Sequence, residues 1–279
     1  MGDLSGIQNE DLMAELAIDP DVLERELAAE LVGDPLDEIA PDDPEGDALE
    51  AVRACDEGLE WLKQGHDQRL QGLRVFCEHR DPRAVPLLLP LLDENCPVVR
   101  MSAVYALGRN PSLQAVEALL RLLQLDSNAY VRKATAWSLG NYPDAPVINP
   151  LIRALQVDVA SVRLWASVSL AEAGSTSPVK ADLAAGQLLL SLRIDSEPVV
   201  RSNCIWALGR LHDQLVKPRQ SEMVEAFVAA LLQDRETTVR DEARTALEQL
   251  DNPDLVNRCL LYTSPSPRDS DTSRMPSSA

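Results

Sequence analysis

Apolar positions recur along this chain with two nested periods. The short one is helical: in VRMSAVYALGR, VRKATAWSLGN and VRSNCIWALGR the small residues at +3 and +6 and the leucines at +7, counted from the arginine, fall on one face. The long one is the spacing of that phrase. Val99-Arg100, Val131-Arg132, Val162-Arg163, Val200-Arg201 and Val239-Arg240 each open a predicted helix, and Arg69 marks a degenerate earlier copy. Successive arginines lie 31, 32, 31, 38 and 39 residues apart, the period of a two-helix repeat. The second helix of each unit is the more apolar, as in AVEALLRLLQLD, VINPLIRALQVD, GQLLLSLRID and EAFVAALLQD, and an aspartate follows it (Asp126, Asp158, Asp195 or Asp234).

Local signals complete the units. Gly108, Gly140 and Gly209 are placed to end first helices in left-handed geometry, and Pro97 and Pro198 to begin them. The two longer gaps are expected to be taken up in loops, around Gly174 to Asp182 and His212 to Ser221. Ahead of the repeats, DALEAVRACDEGLEWLKQG predicts an amphipathic helix with Leu49, Val52, Leu59 and Leu62 on one side and Gly65 as its stop. The expected fold is all-α: a right-handed α-solenoid of about six two-helix repeats over 47–258, each burying its apolar face against its neighbours.

Charge sets the N-terminus apart. Residues 1–50 hold seventeen acidic residues and one base, Arg25, so they carry −16 of the formal −19. Residues 1–46 are expected to form an acidic, largely disordered arm. Within it, Asn9 to Leu16 and Asp21 to Leu31 keep leucines at the spacing of short docking helices. At the other end, residues 259–279 leave the helical pattern. Read back into codons, Cys259 to Asp269 and Ser273 to Ala279 fit the two ends of a sequencing adapter in one frame, so this segment is expected to be an artefact and the true C-terminus to be missing. No apolar run is long enough to span a membrane and the first residues are acidic, so a cytoplasmic protein is expected.

The residues offer little catalytic chemistry. Cys55, Cys77, Cys96, Cys204 and Cys259 include no CxxC pair, and His66, His79 and His212 stand singly. There is no phosphate loop or nucleophile elbow, and no cofactor or metal site is expected. Arg100, Arg132, Arg163, Arg201 and Arg240 could bind phosphate as a row. Because the aspartates recur in step with them and the protein is acidic, pairing with Asp126, Asp158, Asp195 and Asp234 is the stronger expectation, and nucleic acid is not an expected partner. Position +5 lies nearly opposite the packed face, yet carries Tyr105, Trp137 and Trp206, with Val168 between. Either a neighbouring unit covers these rings, or they form an exposed row, framed by Arg109 and Arg210, that binds a protein partner. Arg121, Arg153, Gln124, Gln156 and Arg193 mark an alternative docking surface on the second helices.

The repeated phrases, with their aspartate-to-arginine spacing, resemble the HEAT-like repeats first associated with phycobilisome lyases. The resemblance runs over roughly 67–258, and RDPRAVPLLLPLLDENCPVVR is most similar to cyanobacterial standalone HEAT-repeat proteins. It implies an armadillo-type fold and, as first expectation, a non-enzymatic scaffold or adaptor. It also implies two alternatives: a subunit or chaperone of a phycobilin lyase acting on phycobiliproteins, and a partner of an A-type iron-sulfur carrier. HEAT-repeat deoxyhypusine hydroxylases hold iron with His-Glu dipeptides; none occurs here, so that activity does not carry over.

Overall fold

The computed structural model describes residues 48–250; the acidic arm and the adapter-like tail lie outside them. Twelve α-helices and four short 3-10 turns make up the described chain, with no strand among the described residues. By their contacts the described residues divide into two compact units, with the boundary between Ser138 and Leu139. In the first, α1 (Ala48–Trp61) packs on α2 (His66–Glu78), which packs on α4 (Pro97–Arg109). Between α2 and α4 the chain forms only α3 (Val85–Leu88) flanked by 3-10 turns. Pro86 and Pro90 each remove a backbone donor there, which prevents one continuous helix. α5 (Val116–Leu125) follows, and α6 (Ala129–Gly140) crosses the unit boundary. The second unit holds α7 (Ile148–Val157), α8 (Ala160–Gly174), α9 (Pro178–Ile194), α10 (Pro198–Leu211), α11 (Lys217–Gln233) and α12 (Thr237–Gln249). There α10 packs against α8, α9 and α12.

The first helices of the repeats are α2, α4, α6, α8, α10 and α12, each opening on its repeat arginine or one turn before it. Pro97 and Pro198 occupy the first position of α4 and α10, where the missing N–H costs nothing. α4 is the most enclosed: every residue from Pro97 to Gly108 except Arg100 is buried. α5 is amphipathic and buries Leu119, Leu122 and Leu123.

Three expectations are corrected. The extra residues of the two longer repeats lengthen the second helices rather than loops: α9 and α11 run 17 residues, against 10 for α5 and α7. The cause at α9 is local. Ser177 accepts a hydrogen bond from the Lys180 amide and Pro178 takes the first position, so the helix starts early. Gly108 and Gly209 lie inside their helices, Gly140 is the last residue of α6, and none has a positive φ. A Cβ on Gly108 would overlap the Trp137 ring and one on Gly140 would sit 2.8 Å from Ser169 Oγ, so these two serve close packing; at Gly209 nothing lies within 4 Å. Finally, α1 buries Cys55, Gly58 and Leu59, and Leu62 is buried just after it, while Leu49 and Val52 are exposed because no described element covers the first turn.

Candidate functional site

The repeat arginines and aspartates form the same joint three times. Arg100 donates from Nε and Nη2 to both oxygens of Asp126 at 2.8 and 2.9 Å; Arg163 does so to Asp195 at 2.8 and 2.8 Å, and Arg201 to Asp234 at 2.8 and 2.7 Å. Each Nη1 turns back to carbonyls of its own turn: Glu94 and Asn95 for Arg100, Asp158 for Arg163, Asp195 and Ser196 for Arg201. Each aspartate also accepts the backbone N–H two residues on, from Asn128, Glu197 or Glu236. One carboxylate thus closes its own turn and holds the preceding repeat. These bonds engage most of each guanidinium's donors, and each side chain is mostly buried, which leaves little of it for a phosphate. The Arg201 hydrogen bond holds the Asp234 carboxyl below the usual carboxylate range, and Asp234 in turn raises Arg201. Arg132 and Arg240 make the same bonds to their own turns, to Asp126 and Ser127 and to Asp234 and Arg235, and Asp158 accepts from the adjacent Val159 amide.

The aromatic positions differ in exposure. Tyr105 is 0% exposed: its ring meets Trp137 edge-on with centroids 5.4 Å apart, and α4 is enclosed on every side. Trp137 is half-buried and covers Gly108. Trp206, at the equivalent place in α10, is 38% exposed. Arg210 lies 5.9 Å over its ring and is 3.6 Å from Glu172, and a Cβ on the nearby Gly209 would meet nothing within 4 Å. Arg109 frames no exposed ring. Its Nε donates to the Cys77 carbonyl at 3.2 Å, and it lines a depression of about 330 Å³ with Arg80, Val85, Pro86 and Ser112.

On the second helices, Arg121, Gln124, Arg153, Gln156 and Arg193 are all exposed. Arg121 pairs with Asp93 at 2.7 Å, Arg193 with Glu222 at 3.0 Å, and Gln156 donates to Gln187 at 2.7 Å. Two features escaped the sequence reading. Asn110 is buried, donating from Nδ2 to the carbonyls of Phe76, His79 and Ala106 and accepting the Asp81 amide, so one side chain stitches α4 to the end of α2. An apolar stripe is exposed along α9, and the leucine-rich run LLLSLRI was its signal.

Cys55, Cys77 and Cys204 are buried; burial pushes the Cys77 thiol up to about 12 and raises those of Cys55 and Cys204. Such thiols are poor nucleophiles and poor ligands. Among the described residues no group of three or more His, Cys, Asp or Glu could hold a metal ion, and no helix is long and apolar enough to cross a membrane.

A family model described as HEAT repeats matches residues 63–140 and 85–172. Among solved structures, a designed armadillo repeat protein is 18% identical with a TM-score of 0.51, covering 71% of this chain and 100% of its own. A second designed armadillo repeat protein, in complex with a (KR)4 peptide, is 20% identical with a TM-score of 0.49, covering 74% of this chain and 95% of its own. Human deoxyhypusine hydroxylase in complex with glycerol is 18% identical with a TM-score of 0.30, covering 85% of this chain and 99% of its own. No curated protein matches the chain significantly.

Proposed function

We propose that this chain, in which HEAT repeats are detected and whose all-helical fold is that of armadillo and HEAT repeat proteins, is a non-enzymatic scaffold that binds a protein partner around Trp206. Stacked repeats offer extended surfaces suited to such a role. The observation that carries the reading is the exposure of Trp206 at a position where α4 encloses its counterpart. A tryptophan flanked by an arginine and open backbone has the anatomy of an interface hot spot, and truncating one typically costs about 2 kcal/mol or more of binding.

The test compares wild type with Trp206→Ala in quantitative affinity capture from the source cells. A protein lost with the variant, and captured at least tenfold less, identifies the partner; unchanged capture of every protein overturns the reading. The finer alternatives separate in the same experiment. Loss of phycobiliprotein subunits, with a shifted visible absorbance on adding bilin, would support the lyase role, and loss of an iron-sulfur carrier would support the other.

A further inference from the structure

The second helix α9, PVKADLAAGQLLLSLRI, carries apolar residues on two opposite faces with polar residues between them, so its apolar surface exceeds what one packed side can cover. Its inner face is filled: Ala181, Ala184, Ala185, Leu188, Leu189 and Leu192 are buried. On the outer face Val179 is 72%, Leu183 51%, Leu190 44% and Ile194 71% exposed. At about 100° per residue these four fall within a band of roughly 60°. Gly186 lies on the same line, and a Cβ there would meet nothing within 4 Å.

We propose that this face is a homodimer contact, in which a second copy of the chain lays its own α9 antiparallel across it. The exposed positions are symmetric about the point between Gly186 and Gln187. Leu183 precedes that point by as much as Leu190 follows it, and Val179 and Ile194 match in the same way. A twofold axis there sets Leu183 against Leu190 of the other copy and Val179 against Ile194, twice each, and Gly186 lets the backbones approach. On α9 the charges are already matched, Asp182 with Arg219 at 2.9 Å and Arg193 with Glu222 at 3.0 Å. On α7, exposed Asp144 precedes the helix and exposed Arg153 lies toward its end, so reversing one copy brings Asp144 toward Arg153, whereas a parallel pairing would bring like toward like. Lys180, the base at the start of α9, is turned onto the Pro143 carbonyl.

Burying four such side chains per copy, at about 100 Å² apiece, removes on the order of 800 Å² from water. Exposed Val157 at the end of α7 and Leu232 on α11 extend the apolar area. That is below a standard specific interface, so the dimer is weak and dependent on concentration.

Sedimentation velocity of the full chain, from low micromolar to several hundred micromolar, reads the association directly. The expected result is a monomer that passes to a dimer over this range, and a Leu190→Glu variant with an unchanged helical spectrum that stays monomeric. Oxidative cross-linking fixes the orientation even where that variant misfolds. Val179→Cys with Ile194→Cys should cross-link two chains above the wild-type background, and neither single variant should. Wild type monomeric throughout, a dimer indifferent to Leu190→Glu in folded protein, or cross-linking by Val179→Cys alone would each overturn the proposal. The first would leave the α9 stripe to a different chain.

Discussion

The two units treat the same repeat position in opposite ways. In residues 48–138, the tyrosine five places after Arg100 is enclosed and meets Trp137 edge-on, and the glycine at 108 is where that indole fits. In residues 139–250, the tryptophan five places after Arg201 stands partly in solvent, and the glycine at 209 faces open space. The arginine-aspartate joint, by contrast, is the same in both. A repeat therefore conserves its joints, while what covers a surface position is decided by the neighbouring helix, one repeat at a time.

Substitutions can break that comparison at graded strength. The largest effect is expected of Tyr105→Ala, which empties a fully enclosed site and should destabilise by about 4 kcal/mol in urea unfolding. Next come Asp126→Ala and Asp195→Ala, each leaving a mostly buried guanidinium and a turn N–H unpaired. Both should lose about 3 kcal/mol, and a clear inequality would show that the joint is not equivalent in the two units. Glycine gives a difference of sign. Gly108→Ala should destabilise by about 2 kcal/mol through overlap with Trp137, whereas Gly209→Ala should stabilise by about 1 kcal/mol, since the helix gains alanine propensity and nothing is displaced.

The smallest effect is acid dependence. Because the folded-state value of Asp234 is lowered, its contribution is complete at neutral pH and is lost as pH falls through that value. Asp234→Asn should flatten the decline in urea midpoint between about pH 5 and about pH 2, relative to wild type.

Much of the fold was legible because repeated charges and periodic leucines report contacts that every unit makes. An aspartate recurs five or six residues before each of Arg132, Arg163, Arg201 and Arg240, so pairing between repeat arginines and repeat aspartates could be expected from spacing. The site was less legible. A helical wheel places Tyr105 and Trp206 alike, opposite the packed face, and cannot say which wheel is surrounded by other helices. Gly108, Gly140 and Gly209 look like helix stops in sequence, but two of them accommodate side chains from another helix, a contact that local pattern does not carry. The α9 stripe was hidden for a related reason: exposed and buried leucines look the same until the packed face is known.

The central claim is that Trp206 is open to a partner, and its own fluorescence tests this most directly. Subtracting the emission of Trp206→Phe from that of wild type isolates the Trp206 signal with a minimal change in packing. A red-shifted difference spectrum that acrylamide quenches readily is the predicted result, and a blue-shifted spectrum protected from acrylamide would contradict the account.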